Sequence, residues 1–69
     1  MEEIKLRDDF IKLGQALKAA NVVESGVVAK IVIQDGLVMV NGEVETRRGK
    51  KLVDGDVVFF EGETIRIVK

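Results

Sequence analysis

Neither cysteine nor histidine occurs in this chain of 69 residues. A domain this short builds only a small core, and disulfides or a metal commonly offset the entropy of ordering it. With no Cys and no His, disulfides and Cys/His zinc sites are excluded, so packing alone must hold the fold. The same absence excludes thiol nucleophiles and His-based acid–base catalysis. Packing is feasible: hydrophobic residues are 46% of the chain and charged residues 33%, the balance of a folded domain. One domain over residues 1–69 is therefore expected. The longest apolar runs, Leu37–Val40 and Val57–Phe60, have four residues each, against the ~20 that a membrane-spanning helix needs. The opening Met-Glu-Glu-Ile lacks the basic-then-apolar order of a signal peptide. A cytoplasmic protein with no membrane partner is the expectation.

Hydrophobic periodicity gives the element order. Ile4 and Leu6 alternate with Lys5 and Arg7, as in a half-buried strand, and Ile65 and Ile67 flank Arg66 in the same way. The matching ends predict that the two terminal strands pair. Asp8-Asp9 marks a turn. Phe10, Leu13, Leu17 and Ala20 share one helical face. Gly14 weakens that helix, so an extended Phe10–Lys12 followed by a short helix from about Leu13 to Ala20 fits better. Gln15 and Lys18 then face outward and Asn21 ends the helix. Between Ser25 and Gly36, β-branched residues favour a strand. Ser25 as an N-cap and Gly36 as a terminator favour a helix, and the span is long for a strand. A second helix is predicted, with Val28, Ile31 and Val32 toward the core and Val27, Lys30 and Gln34 outward. From Leu37 onward the chain reads as β. Asn41-Gly42 is the preferred pair for a two-residue hairpin turn, with Glu43–Thr46 returning. Asp54-Gly55 is a second turn, Asp56–Glu61 a strand, and Glu61-Gly62-Glu63 leads into the last strand. Phe10 is assigned to the core. Phe59 and Phe60 point to opposite faces of their strand, so one of them can be exposed.

Enzymatic signatures are missing: neither a GxxxxGK phosphate loop nor a nucleophile elbow occurs. Asp54 and Asp56 alone are too few oxygens for calcium. No catalytic residue, metal, cofactor or small-molecule substrate is therefore expected. Charge is more informative. The net charge is −1, yet residues 1–46 sum to −3, residues 47–51 to +4 and residues 52–69 to −2. Arg47-Arg48-Gly49-Lys50-Lys51 thus concentrates positive field on an acidic chain. Arginine forks grip phosphate bidentately, lysines add mobile point charges, and Gly49 permits a sharp turn or close approach. A solvated loop kept soluble by charge explains the same five residues equally well.

The wider pattern separates these readings. Leu13-Gly14-Gln15-Ala16-Leu17-Lys18, Glu24-Ser25-Gly26-Val27-Val28-Ala29-Lys30, Gly36-Leu37-Val38-Met39-Val40-Asn41-Gly42-Glu43, Glu45-Thr46-Arg47-Arg48-Gly49-Lys50-Lys51-Leu52 and Asp54-Gly55-Asp56-Val57-Val58 occur in that order. Together they resemble the RNA-binding domain named after ribosomal small-subunit protein S-four, and more narrowly its short stand-alone bacterial members. The likeness runs from about Phe10 to Phe60. It implies an α+β fold, two short helices packed on a small, mainly antiparallel β-sheet, with RNA held by the two-helix face and the adjoining loop. Carried over by position, Lys18 is a basic residue of the first helix. Ser25, Gly26 and Lys30 belong to the second, and Arg47, Arg48, Lys50 and Lys51 to the loop. Val27 departs from the pattern, standing where a second glycine is usual. Many members of the family are appendages of catalytic domains; none is attached here, which favours a bare binding module.

The expected function is thus a non-enzymatic module for structured RNA, with ribosomal RNA or a ribosomal subunit as the partner and a role in ribosome assembly. A protein-interaction module docking an acidic partner through the same loop is the alternative. A ubiquitin-like sulfur carrier is disfavoured because the chain ends Ile67-Val68-Lys69, without Gly-Gly.

Overall fold

The computed structural model describes residues 2–69. Its elements are β1 (Glu2–Lys5), β2 (Ile11–Lys12), α1 (Leu13–Ala19), α2 (Gly26–Gln34), β3 (Met39–Val40), β4 (Glu43–Val44), β5 (Lys51–Leu52), β6 (Val57–Phe60) and β7 (Glu63–Val68). Asn41 and Gly42 both take positive φ, 53° and 84°, the mirror-image turn whose twist matches a hairpin. They set Val40 of β3 opposite Glu43 of β4. Glu61 and Gly62, at 49° and 78°, make the same kind of turn between β6 and β7. The terminal strands do pair, and in parallel, with Ile4 opposite Ile67. The result is a five-stranded sheet in the order β1-β7-β6-β3-β4, antiparallel except at β1–β7.

Both helices end as their sequences predict. Asn21 takes φ 62° and Gly36 φ 77°, the left-handed residue that follows a helix. Val22 N–H then donates to Leu17 O at 3.2 Å, and Leu37 N–H to Val32 O at 3.1 Å. These bonds satisfy carbonyls that the helix ends leave open. The helices lie on one face of the sheet. Leu13 and Leu17 of α1, Ile33 of α2, Val58 of β6, and Ile65 and Ile67 of β7 are fully buried together with Leu52. Each such side chain stabilises the fold by ~1.5–3 kcal/mol relative to exposure.

Three expectations need correction. Phe10 is not a core residue: it precedes β2 and is 38% exposed. Ile31 is exposed, and α2 buries Ala29 and Ile33 with Val28 and Val32 half-buried beside them. Six of nine α2 residues are apolar, counting Val27, Val28, Ala29, Ile31, Val32 and Ile33, so composition did not fix the helix's rotation. Leu37 also lies outside its expected strand, because its N–H closes the α2 terminus, and its side chain is exposed.

Candidate nucleic-acid interface

A two-stranded ribbon delivers the basic loop to the helices. β5 pairs with β2 antiparallel, Ile11 opposite Leu52 and Lys12 opposite Lys51. β2 continues directly into α1. The first-turn N–H groups of a helix have no partner within it. Here the loop supplies them: Leu13 N–H donates to Lys50 O at 2.9 Å, and Gly14 N–H to Arg48 O at 3.0 Å. A Cβ on Gly14 would stand 3.6 Å from that Arg48 oxygen, so the loop lies directly on the first turn of α1. The loop backbone is thereby fixed while its side chains remain outside.

This docking brings separated cations together. Lys12, Lys18, Gly26, Lys30, Arg48 and Gly49 line one open groove of about 350 Å³. It therefore draws on β2, α1, α2 and the loop. Four of the expected residues, Lys18, Gly26, Lys30 and Arg48, meet there. Lys12 was missed by sequence reasoning, because only the β2–β5 register that sets it opposite Lys51 brings it to the groove. Arg47, Lys50 and Lys51 line a second hollow and share only Gly49 with the first. Gly49 needs no left-handed backbone and has open space where a Cβ would stand. Gly49 does sit in a tight turn, closed by Lys50 N–H donating to Arg47 O at 3.1 Å, but that turn does not require glycine, and room for close approach is what the missing side chain adds. Ser25 is engaged in structure: its Oγ accepts from Val28 N–H at 3.3 Å, capping α2.

The loop cations differ in availability. Arg47 donates from Nε and Nη2 to the two Glu45 carboxylate oxygens, at 2.9 and 3.1 Å, and its backbone N–H adds a third bond at 3.1 Å. The Arg47 side-chain hydrogen bonds are the main reason the Glu45 carboxyl falls from 4.5 to about 2. Bonding to Glu45 also raises the Arg47 pKa. Lys51 Nζ sits 4.8 Å from the centroid of the Phe10 ring, a cation–π contact. Among the described residues, Lys12, Lys18, Lys30, Arg48 and Lys50 make no ion pair. Unpaired cations converging on a groove attract a polyanion and are not neutralised by their own protein. Among the described residues there is no group of three His, Cys, Asp or Glu side chains able to hold a metal. Nor, among the described residues, is any helix long and apolar enough to cross a membrane.

Comparison with known proteins gives a consistent result. Residues 4–68 match the sequence model of a family described as the S4 domain. A Bacillus subtilis protein named as a probable ribosome maturation protein, RlbA, is 48% identical over 59 residues, covering 86% of this chain and 83% of that protein. YbcJ of Escherichia coli is 43% identical over 58 residues, covering 84% of this chain and 83% of its own. The solution structure of YbcJ superposes with a TM-score of 0.77 at 38% identity, over 100% of this chain and 89% of that one. It is described as revealing an ALFAL motif involved in RNA binding.

Proposed function

Because the chain belongs to the S4 domain family, we propose that it is a binding module for structured RNA, acting on ribosomal RNA in the cytoplasm during ribosome assembly. The observation that carries this reading is the groove in which Lys12, Lys18, Lys30 and Arg48 converge without acidic partners. The ribosomal part draws on the name of the Bacillus subtilis relative.

The proposed mechanism is binding without a chemical step. Lys12, Lys18 and Lys30 neutralise phosphates and release condensed counterions, which supplies most of the affinity. Arg48, held at its backbone by Gly14, presents a fork that fits one phosphate bidentately. Lys50 and Lys51 extend the positive surface along the loop, while Arg47 engages RNA only in competition with Glu45. Gly26 and Gly49 leave room for a backbone to approach. Contacts of this kind fix position and read shape, and they leave base identity largely unread.

The test is an electrophoretic shift with total cytoplasmic RNA, with and without nuclease. The reading expects a shifted complex that nuclease abolishes, with ribosomal RNA enriched in the bound fraction. No shift, or capture of an acidic protein that survives nuclease, would refute it.

A further inference from the structure

We propose that the surface beside α1 holds a second subsite, built on Phe10, that takes one unpaired base of a structured RNA. The inference rests on RNA binding at the adjacent basic groove and adds to it a ligand feature that cations cannot read.

Phe10 lies outside the core and is substantially exposed. It lines an open groove between the β1–β2 connection and α1. Lys5, Arg7 and Lys18 line the same groove, against one carboxylate, Asp8. Lys51 Nζ sits 4.8 Å from the ring centroid yet does not line that groove, so the ring carries a cation and still presents surface to the groove. An exposed aromatic ring among cations has the composition of a single-strand stacking platform, the ring taking a base and the cations its flanking phosphates.

The location links the two sites. Gln15 and Lys18, on the exposed face of α1, line both this groove and the basic groove. RNA whose phosphates occupy the basic groove thus reaches Phe10 by crossing one helix turn. A fully paired stem has no free base to offer there, whereas a bulge or junction has. Phe59, the other exposed ring, stands on the sheet opposite Met39 and Thr64 and lines neither groove.

The chain has no tryptophan or tyrosine, so Phe10→Trp introduces a single emission probe at the subsite, with Phe59→Trp as the control. The RNAs are a fully paired hairpin and the same hairpin carrying one bulged adenine. The proposal expects the bulged hairpin to quench Phe10→Trp emission much more than Phe59→Trp emission. Phe10→Leu should weaken binding of the bulged hairpin about fivefold or more and leave the paired hairpin unchanged, while Phe10→Tyr should restore the preference. Equal binding of both hairpins by the parent, with Phe10→Leu and Phe10→Tyr indistinguishable from it, would overturn the subsite and leave RNA binding standing. Failure of the parent to bind either hairpin would overturn both.

Discussion

Two polar clusters stand out in this chain, and the fold uses them in opposite ways. One joins the Asn41-Gly42 turn to Asp56. Asn41 Nδ2 donates to Asp56 Oδ1 at 3.0 Å, Asn41 Oδ1 accepts from Val57 N–H at 2.9 Å, and Asp56 Oδ2 accepts from Val53 N–H at 2.8 Å. Its side chains lie at the surface yet are bonded to other parts of the same structure. The other cluster is Arg47–Lys51. There the backbone carbonyls of Arg48 and Lys50 serve the fold by accepting from α1, while the side chains, Arg47 excepted, have no acidic partner among the described residues. A polar motif whose side chains bond one another builds a turn. A motif whose backbone is bonded and whose charges are not presents a site.

The largest effect should come from the second cluster. Changing Arg47, Arg48, Lys50 and Lys51 together to Glu is expected to lower RNA affinity about a hundredfold or more, with the circular dichroism spectrum native. Parent-like RNA binding would break the division between the clusters. In the first cluster, Asn41→Ala removes two side-chain hydrogen bonds and should destabilise by ~1–3 kcal/mol. Gly42→Val, at φ 84°, should destabilise by about 1 kcal/mol or more. At a midpoint shift of roughly 4–8 °C per kcal/mol, thermal melting resolves both, and RNA affinity of the folded variants should stay at the parent level.

Smaller effects are expected from salt and from single cations. If four to six cations engage phosphates, log affinity against log salt should slope at about −3 to −5. Lys12→Ala, Lys18→Ala or Lys30→Ala should each lessen that slope by about 0.7–0.9. A slope near zero would favour a partner recognised without phosphates. The smallest effect is local to Glu45. Its folded pKa of about 2 lies below the ordinary 4.5, so its ion pair contributes stability that is full above about 4.5 and lost as pH falls toward about 2. A side-chain carboxyl titration by NMR should show the low midpoint, and Arg47→Gln should return it toward the ordinary value.

Local signals carried much of this to the sequence reader. Asn41-Gly42 requires left-handed backbone, Ser25 and Gly36 bracket a helix, and the alternation at Ile4 and Ile67 announces partner strands; each is legible within a few residues. What stayed hidden depends on distant parts of the chain. The β2–β5 ribbon is two residues long on each side, with nothing periodic to detect, yet it places Lys12 opposite Lys51. The rotation of α2 follows from packing on the sheet, since apolar residues occupy nearly every side of it. Phe10 shares the apolar stripe of α1 only if the helix begins there; the extended Phe10–Lys12 that the sequence favours already takes it off that stripe, and its ring lies outside the core.

On the proposed function, RNA meets this protein on the face shared by α1, α2 and the 47–51 loop. Backbone amide shift mapping of the labelled protein during titration with a structured ribosomal RNA fragment tests it directly. Perturbation should centre on Lys12, Gln15, Lys18, Gly26, Lys30, Arg48 and Gly49, with Met39, Val44 and Phe59 on the opposite face of the sheet unmoved. Perturbation centred on Met39, Val44 and Phe59, with the loop and helices silent, would contradict it.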